Sequence, residues 1–244
     1  MLVVDALDAG MALDSAYVES RGGSAAVEAA AERLDRAGVA VFEVADGVLA
    51  KVGATVTPQG IVAVAPMFDT TIERVLDART VVVLHDVADP GNAGTLVRTA
   101  EAAGAGAVVF AGDSVDPYSP KTVRSSAGSI FRVPIAIEPD PVAALDRLAA
   151  SGHRRIGTSM GEGTPWYGAD LGPPVAIVLG NEAHGLPAPA ADRIDAWVHI
   201  PMAGRVESLN VAVAGAVVLF EAARQRRQSI GRPGAETAGF APNG

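Results

Sequence analysis

Arginine, asparagine, glutamate and serine stand at the ends of apolar runs in three blocks of this 244-residue chain. The blocks are DPGNAGTLVRTAEAAGA (Asp89 to Ala105), VAIVLGNEAHGL (Val175 to Leu186) and IPMAGRVESLNVAVA (Ile200 to Ala214). Each puts small or polar residues where an apolar strand ends, which is where an α/β sheet exposes backbone groups to a ligand. Arg98 falls on the same helical face as Gly94 and within two turns of Asn92, so both side chains can address one cleft. Gly180 follows the strand VAIVL and, having no side chain, lets the backbone bend and approach a ligand. Ser208 is placed as the N-cap of the last helix, and Asn92 as a cap for a helix beginning at Ala93. A dinucleotide site would carry Gly-x-Gly-x-x-Gly after the first strand, but VVVLHDV runs into Ala-Asp-Pro-Gly-Asn instead. GTSMG (Gly157 to Gly161) fits the nucleophile elbow of a serine hydrolase, with Ser159 followed by Asp192 or Asp195 and His199. The elbow must enter a helix, and Gly161-Glu162-Gly163-Thr164-Pro165 is a poor helix start. His85, His153, His184 and His199 lack paired ligand spacing, so no metal is expected.

As a triplet these blocks resemble the SpoU (TrmH-type) family of RNA ribose 2'-O-methyltransferases, members of the knotted SPOUT class that use S-adenosylmethionine. The first carries the family's Asn-x-Gly-x-x-x-Arg at Asn92, Gly94 and Arg98, and the second its Gly-x-Glu at Gly180 and Glu182. The third carries Ile-Pro-Met at Ile200, Pro201 and Met202, then Ser-Leu-Asn-Val at Ser208, Leu209, Asn210 and Val211. The resemblance implies that backbone groups around Thr158, Ser159, Met160, Gly180, Ile200, Pro201, Met202 and Leu209 hold the cofactor. It implies a catalytic set of Arg98, Asn92, Glu182, Ser208 and Asn210. Methyl transfer to a ribose hydroxyl needs a held phosphate, an aimed 2'-oxygen and stabilisation of its developing charge. Although Arg98 is often described in this family as a general base, a guanidinium deprotonates only above about pH 12 and does not accept hydrogen bonds. Phosphate anchoring and alkoxide stabilisation suit it better, with proton removal left to a neighbour or to water.

The stretch DPYSPKTVRSSAGSIFRVPI (Asp116 to Ile135) is also family-like. Lys121, Arg124 and Arg132, with Ser125, Ser126 and Ser129, form a candidate phosphate-contacting surface for RNA, which Arg154, Arg155 and Arg205 extend. Arg224 to Arg227 read instead as a helix C-terminus complementing its dipole. The family further implies a homodimer whose sites use both chains, and ribosomal RNA, 23S above all, as a target ahead of transfer RNA. A protein that binds RNA or the cofactor without catalysis is the alternative; the presence of Arg98, Glu182, Ser208 and Asn210 together argues for the enzyme.

The elements that must position these residues form an α/β pattern. Residues 1–66 read as helices at Val3 to Ala9 and Ser24 to Ala37 and strands at Val39 to Val44 and Ile61 to Ala65. ADGVLAKVGATVTPQGIVAV, with its Pro58-Gln59-Gly60 turn, resembles a small L30-like RNA substrate-binding domain; the resemblance implies a further strand and basic residues ahead of VVDALDAG, so either the start is misassigned or the module is trimmed. A polar connector spans residues 67–79. Over residues 80–228 the chain alternates strand TVVVLHDV, helix Ala93 to Ala103, strand Ala107 to Phe110, helix Pro141 to Ala150, strands Arg154 to Thr158, Val175 to Leu179 and Ala196 to Ile200, and a helix from Ser208 through Arg227. Such alternation argues for a mostly parallel sheet covered on both faces. The C-terminal trefoil knot is implied by the resemblance alone, since pattern by itself gives an unknotted sheet. Residues 229–244 read as a disordered tail.

Bulk properties set the bounds. Apolar residues make up 49% and charged residues 19%, and there is no cysteine, which removes disulfides, thiolate metal sites and cysteine nucleophiles. No run reaches the length of a membrane span, and no leader pattern opens the chain, so a cytoplasmic protein is expected. The net charge of −9 runs against a nucleic-acid partner, but a local basic surface can sit on an acidic protein. Lysine occurs only at Lys51 and Lys121, so the positive charge is almost all arginine, the side chain suited to bidentate phosphate contacts.

Overall fold

The computed structural model describes residues 1–20, 24–52 and 59–230. Helix α1 (Leu2–Asp8), strand β1 (Ser15–Glu19), helix α2 (Ala25–Arg36), strand β2 (Ala40–Val44), the short α3 (Val48–Val52) and strand β3 (Ile61–Val64) come first. They build a three-stranded sheet in the order β2-β1-β3, parallel on one side and antiparallel on the other. Its core is Ala16, Val27, Ala30, Leu34, Val39 and Ile61. Helices α1 and α2 and strands β2 and β3 lie within a residue or two of where periodicity puts them; β1 is an addition, because SAYVE is too short and mixed to announce itself. Pro58 of the expected turn lies outside the described residues.

The segment from Met67 to Arg79 is fastened to the larger sheet. Ile72 and Val75, in a single 3-10 turn, are buried against it. Tyr118 donates its hydroxyl to the Phe68 carbonyl at 2.7 Å, and the Ile137 amide donates to the Thr70 carbonyl at 2.9 Å.

The larger unit runs β4 (Thr80–His85), α4 (Pro90–Ala103), β5 (Ala107–Ala111), α5 (Pro120–Ser125), β6 (Ile135–Glu138), α6 (Pro141–Ala150), β7 (Arg154–Ser159), β8 (Thr164–Pro165), β9 (Val175–Leu179), α7 (Ala188–Ala191), β10 (Ala196–His199) and α8 (Val211–Ile230). Its seven strands lie in the order β6-β5-β4-β9-β7-β10-β8, and every pairing is parallel. Because alternate strand residues point to opposite faces, Val82 and Leu84 pack toward α4 and α8 while Val81 and Val83 pack toward α6. This is the expected α/β, mostly parallel architecture. Strand β9 sits between β4 and β7, although four strands and three helices intervene between β4 and β9 along the chain. Consequently the C-terminal ends of β4, β9, β7 and β10 open side by side, which is where the polar residues of the three blocks lie.

Three local expectations need correction. Helix α4 starts at Pro90, so its cap is Asp89, whose carboxylate accepts from the Asn92 amide at 2.9 Å. Proline needs no amide partner at the first helical position, and that moves the cap upstream of Asn92. Helix α8 starts at Val211, and Asn210 rather than Ser208 caps it, its Oδ1 accepting from Ala212 at 2.9 Å and Val213 at 3.3 Å. At the other end of α8, Arg226 donates to the Ala103 carbonyl at 2.6 Å and so completes the C-terminus of α4, not that of its own helix. Helix α8 continues through Ile230, two residues into the expected tail; residues 231–244 lie outside the described part. Among the described residues no helix is long and apolar enough to cross a membrane.

Candidate functional site

A cavity of about 420 Å³ opens at the ends of β7, β9 and β10. Of the residues expected around a cofactor, Thr158, Ser159, Met160, Gly180, Ile200, Met202 and Leu209 line it, and Pro201 does not. Glu182 and Ser208 line it as well. Asn92 and Asn210 stand outside the lining but are joined to it. The Asn92 Nδ2 donates to Glu182 Oε1 at 2.9 Å, and Asn210 Nδ2 donates to Asn92 Oδ1 at 2.9 Å. One asparagine from α4 thus links the loop after β9 to the cap of α8, tying the three sequence blocks together through two hydrogen bonds. Arg98 is exposed on α4, six residues or about 9 Å of helix beyond Asn92, and has no hydrogen bond or ion pair among the described residues.

The loops around the cavity are shaped by their own polar contacts. Asn181 Nδ2 donates to the Asp86 carbonyl at 2.8 Å, and its Oδ1 accepts from the Ala183 and His184 amides at 2.9 and 3.2 Å. A bridge between Asn181 and Gly185 then folds the loop back on itself. A Cβ at Gly180 would come within 2.5 Å of the Gly185 carbonyl carbon, so glycine is required there by the loop's own return, beyond any approach to a ligand. Gly94 has a similar reason: a Cβ would meet Ser125 Oγ at 1.9 Å and the Thr122 carbonyl at 2.6 Å, where α4 crosses α5. The Ser159 hydroxyl donates to the Glu162 carbonyl at 2.7 Å and accepts from the Glu162 amide at 2.8 Å, closing the turn 159–162.

That geometry removes the hydrolase alternative. The Ser159 hydroxyl is taken up by Glu162 and makes no hydrogen bond to a histidine among the described residues. Asp195 is spent on Arg155 through bonds of 2.7 to 2.9 Å, and β7 leads to the two-residue β8 rather than to a helix. The Arg155 guanidinium beside Asp195 holds that carboxyl below the usual carboxylate range. The Asn92 amide does the same for Asp89, helped by Lys121.

Of the side chains expected to contact phosphate, most are already engaged within the chain. Arg132 forks onto Glu101 at 2.5 and 3.0 Å, Lys121 lies 3.4 Å from Asp89, and Arg154 pairs with Asp170. Ser126 and Ser129 are buried, and Ser125 donates inward to the Pro90 carbonyl at 2.8 Å, so these three hydroxyls serve helix packing and not solvent-side phosphates. Arg124 and Arg205 are exposed and, among the described residues, free of any such partner.

Sequence reasoning did not assign several residues of the lining to a cofactor site: Glu162, Asn181, His199, Glu207, and the α8 residues Val211, Ala214 and Val218. The last three share one helical face at spacings of three and four, a signal that is present in the periodicity but indistinguishable there from core packing.

Comparison with known proteins covers the segment that carries all three blocks. The SpoU rRNA Methylase family profile matches residues 79–220, more than half of the chain. The chain belongs to this family. A 23S rRNA (guanosine(2553)-2'-O)-methyltransferase, RlmP of Bacillus subtilis (strain 168), is 36% identical over 183 residues, 75% of this chain and 72% of that one. An S-adenosylmethionine-bound rRNA methyltransferase from Sinorhizobium meliloti superposes with a TM-score of 0.80 at 34% identity, covering 92% of this chain and 84% of that one. The SpoU methyltransferase AviRb from Streptomyces viridochromogenes, also in complex with that cofactor, gives 0.79 at 30% identity over 93% and 88% of the two chains. This SpoU protein accordingly has the SPOUT architecture, its sheet and helices corresponding over more than nine-tenths of its own length. S-Adenosylmethionine fits the cavity on the protein's own terms. Ile200, Leu209, Val211 and Val218 offer an apolar bed, the hydroxyls of Thr158 and Ser208 offer neutral polar partners, and the His199 Nδ1 is buried without a hydrogen-bond partner.

Proposed function

We propose that this SpoU protein is a cytoplasmic enzyme that transfers a methyl group from S-adenosylmethionine to a ribose 2'-hydroxyl of ribosomal RNA, 23S above all. The observation that carries the reading is the pair of hydrogen bonds from Asn92 to Glu182 and from Asn210 to Asn92, which fixes the Arg98 helix against the cavity loops. When bound, the cofactor supplies the methyl group on a positively charged sulfur; the backbone and hydroxyls around Thr158, Ser159, Met160, Gly180, Ile200, Met202, Ser208 and Leu209 would hold it. Arg98, with no carboxylate to neutralise it, is free to hold the RNA phosphate beside the target ribose and to stabilise the oxygen as charge develops. Asn92, Glu182 and Asn210 hold the parts in register, and Ser208 faces the same space. Exposed Arg124 and Arg205 extend the phosphate-contacting surface, with Lys121 and Arg132 as outer members that must exchange a carboxylate for a phosphate.

Residues 1–66 are taken as the RNA-recognition module and residues 80–228 as the catalytic unit. The family's trefoil knot is taken to lie in the segment after β9, where the chain returns past β7 to β10 and α8 closes over α4. A second copy of the chain completes the assembly: Val213 and Phe220, one heptad apart on α8, leave an apolar stripe there, 50% and 49% exposed.

The test is transfer of labelled methyl from S-adenosylmethionine to total unmethylated ribosomal RNA, with mapping of the modified ribose. The reading requires 2'-O-methylation, and a loss of at least about 100-fold in kcat for Arg98→Ala with cofactor affinity kept. Tight cofactor binding with no transfer to any RNA would assign the chain to the non-catalytic alternative.

A further inference from the structure

The cavity has a one-sided charge. Three of its lining residues are carboxylates, Glu162, Glu182 and Glu207, and none is lysine or arginine. Arg205, two positions before Glu207, is exposed outside the lining. The other titratable groups in the wall are His184 and His199. Polar partners for a carboxylate end of a ligand are the hydroxyls of Thr158 and Ser208 and the loop amides, and no lysine or arginine in the wall offers it a positive charge. A pocket of this kind favours a ligand in proportion to its net positive charge.

From this geometry we infer that the cavity selects the charged donor over the spent product by electrostatics. S-Adenosylmethionine carries an ammonium, a carboxylate and a sulfonium, net +1. Its demethylated product, S-adenosylhomocysteine, has the same outline less one methyl and a neutral thioether, net zero. The shape contacts are nearly shared, whereas the charge contact is not. Glu182 keeps its charge while bonded to the neutral Asn92 amide and adds a constant background; Glu162 and Glu207, whose carboxylates have no partner among the described residues, are the specificity-determining pair that can be changed without breaking the Asn92 link. The consequence is a product that leaves more readily than its outline alone allows. This inference rests on the assignment of the cavity as the cofactor site.

The test is calorimetric binding, independent of turnover, with three ligands: S-adenosylmethionine, S-adenosylhomocysteine, and sinefungin, which carries an amine in place of the sulfonium and so keeps the charge without the transferable methyl. Wild-type protein is expected to bind both charged ligands more tightly than the neutral one. Neutralising a part-solvated carboxylate changes the preference by about two- to four-fold. Glu162→Gln with Glu207→Gln should therefore shrink it by about four-fold or more, mainly through weaker binding of the charged pair. Raising the salt concentration to about 0.5 M should shrink it in the wild type and leave the double variant little changed. A preference that is absent in the wild type, or that survives both the double variant and salt, overturns the inference. Ala214→Leu, which fills the cavity, separates the charge effect from the site itself. Weakening of all three ligands upholds the cavity as the cofactor site whatever the charge result, and no weakening of any removes that site and the inference with it.

Discussion

Asn92 has an amide whose two ends reach different parts of the chain, and no other standard side chain of that size both donates and accepts in one plane. Asn92→Asp keeps the shape but sets a carboxylate against Glu182, so the bond to Glu182 is replaced by repulsion while Asn210 can still donate. Methyl transfer by Asn92→Asp is expected to fall by at least about ten-fold at neutral pH. Its melting temperature should change little, because the Asp89 cap of α4 stays in place. Single-turnover rates beside thermal melts check this, and an active, fully stable variant would contradict it. Gly180→Ala acts in the opposite way, by steric pressure. The added carbon meets backbone at 2.5 to 2.9 Å, and backbone cannot rotate aside as a side-chain tip can. Overpacking of this sort costs about 1–3 kcal/mol, and since only the loop 180–186 can yield, cofactor affinity is expected to drop by about ten-fold or more, measurable by calorimetry. Both residues are legible as members of a site from their types and spacing. Their partners are not: the bond from Asn92 to Glu182 spans 90 positions, and nothing local in sequence specifies it.

At the scale of elements, the cavity depends on the register of β7 with β10, whose last residues Ser159 and His199 are partners across the ladder. The pairing is fixed at its other end by Asp195, which accepts from both the amide and the guanidinium of Arg155. Arg155 lowers the Asp195 pKa, so this contact contributes stability above the ordinary carboxylate value near 4 and loses it as pH falls through the lower folded-state value. Asp195→Asn is expected to be less stable by about 1 kcal/mol at pH 7, a figure that allows for solvent screening of a partly exposed pair. The gap to wild type should close as pH drops below about 4, which denaturant melts across pH 3–7 would show; a gap that widens in acid would refute the role. Long apolar strands such as TVVVLH and VAIVL are readable because burial on both faces demands continuous runs. Strands β1, β6 and β8 are not, being four or five residues or, for β8, two, with mixed composition. The helix starts shift by a few residues from their expected places because Pro90 and Asn210 alter which side chain caps, a choice made by backbone geometry that composition alone does not resolve.

For the whole molecule, composition and function pull in different directions. Residues 1–66 hold nine acidic and four basic side chains, so the expected RNA-recognition module is itself acidic. Arginines without a hydrogen bond or ion pair among the described residues lie instead near the blocks, Arg98, Arg124 and Arg205 among them, and the proposed attraction for phosphate is therefore on the larger unit. The three unpaired arginines of the proposed surface, even with its outer members Lys121 and Arg132, are few against the roughly six to ten phosphate contacts of a strongly bound nucleic-acid partner, and two-fold pairing is a direct way to double them on one surface. In the proposed dimer the apolar stripe on α8 is the contact: Val213 and Phe220 are half exposed on the same helix whose opposite face, through Val218, Leu219 and Ala222, is fully buried in the core. A charge placed in the middle of that stripe is desolvated only if a second copy covers it. Phe220→Glu is therefore expected to give a monomer where the wild type is a dimer at micromolar concentration by light scattering, with RNA affinity and methyl transfer both reduced by about ten-fold or more and S-adenosylmethionine binding to the isolated chain largely kept. The α8 fold itself is indifferent to that exposed position, so circular dichroism should be unchanged. A wild-type protein that is monomeric at that concentration and still methylates RNA would place the whole site, and all of its affinity for phosphate, on one chain.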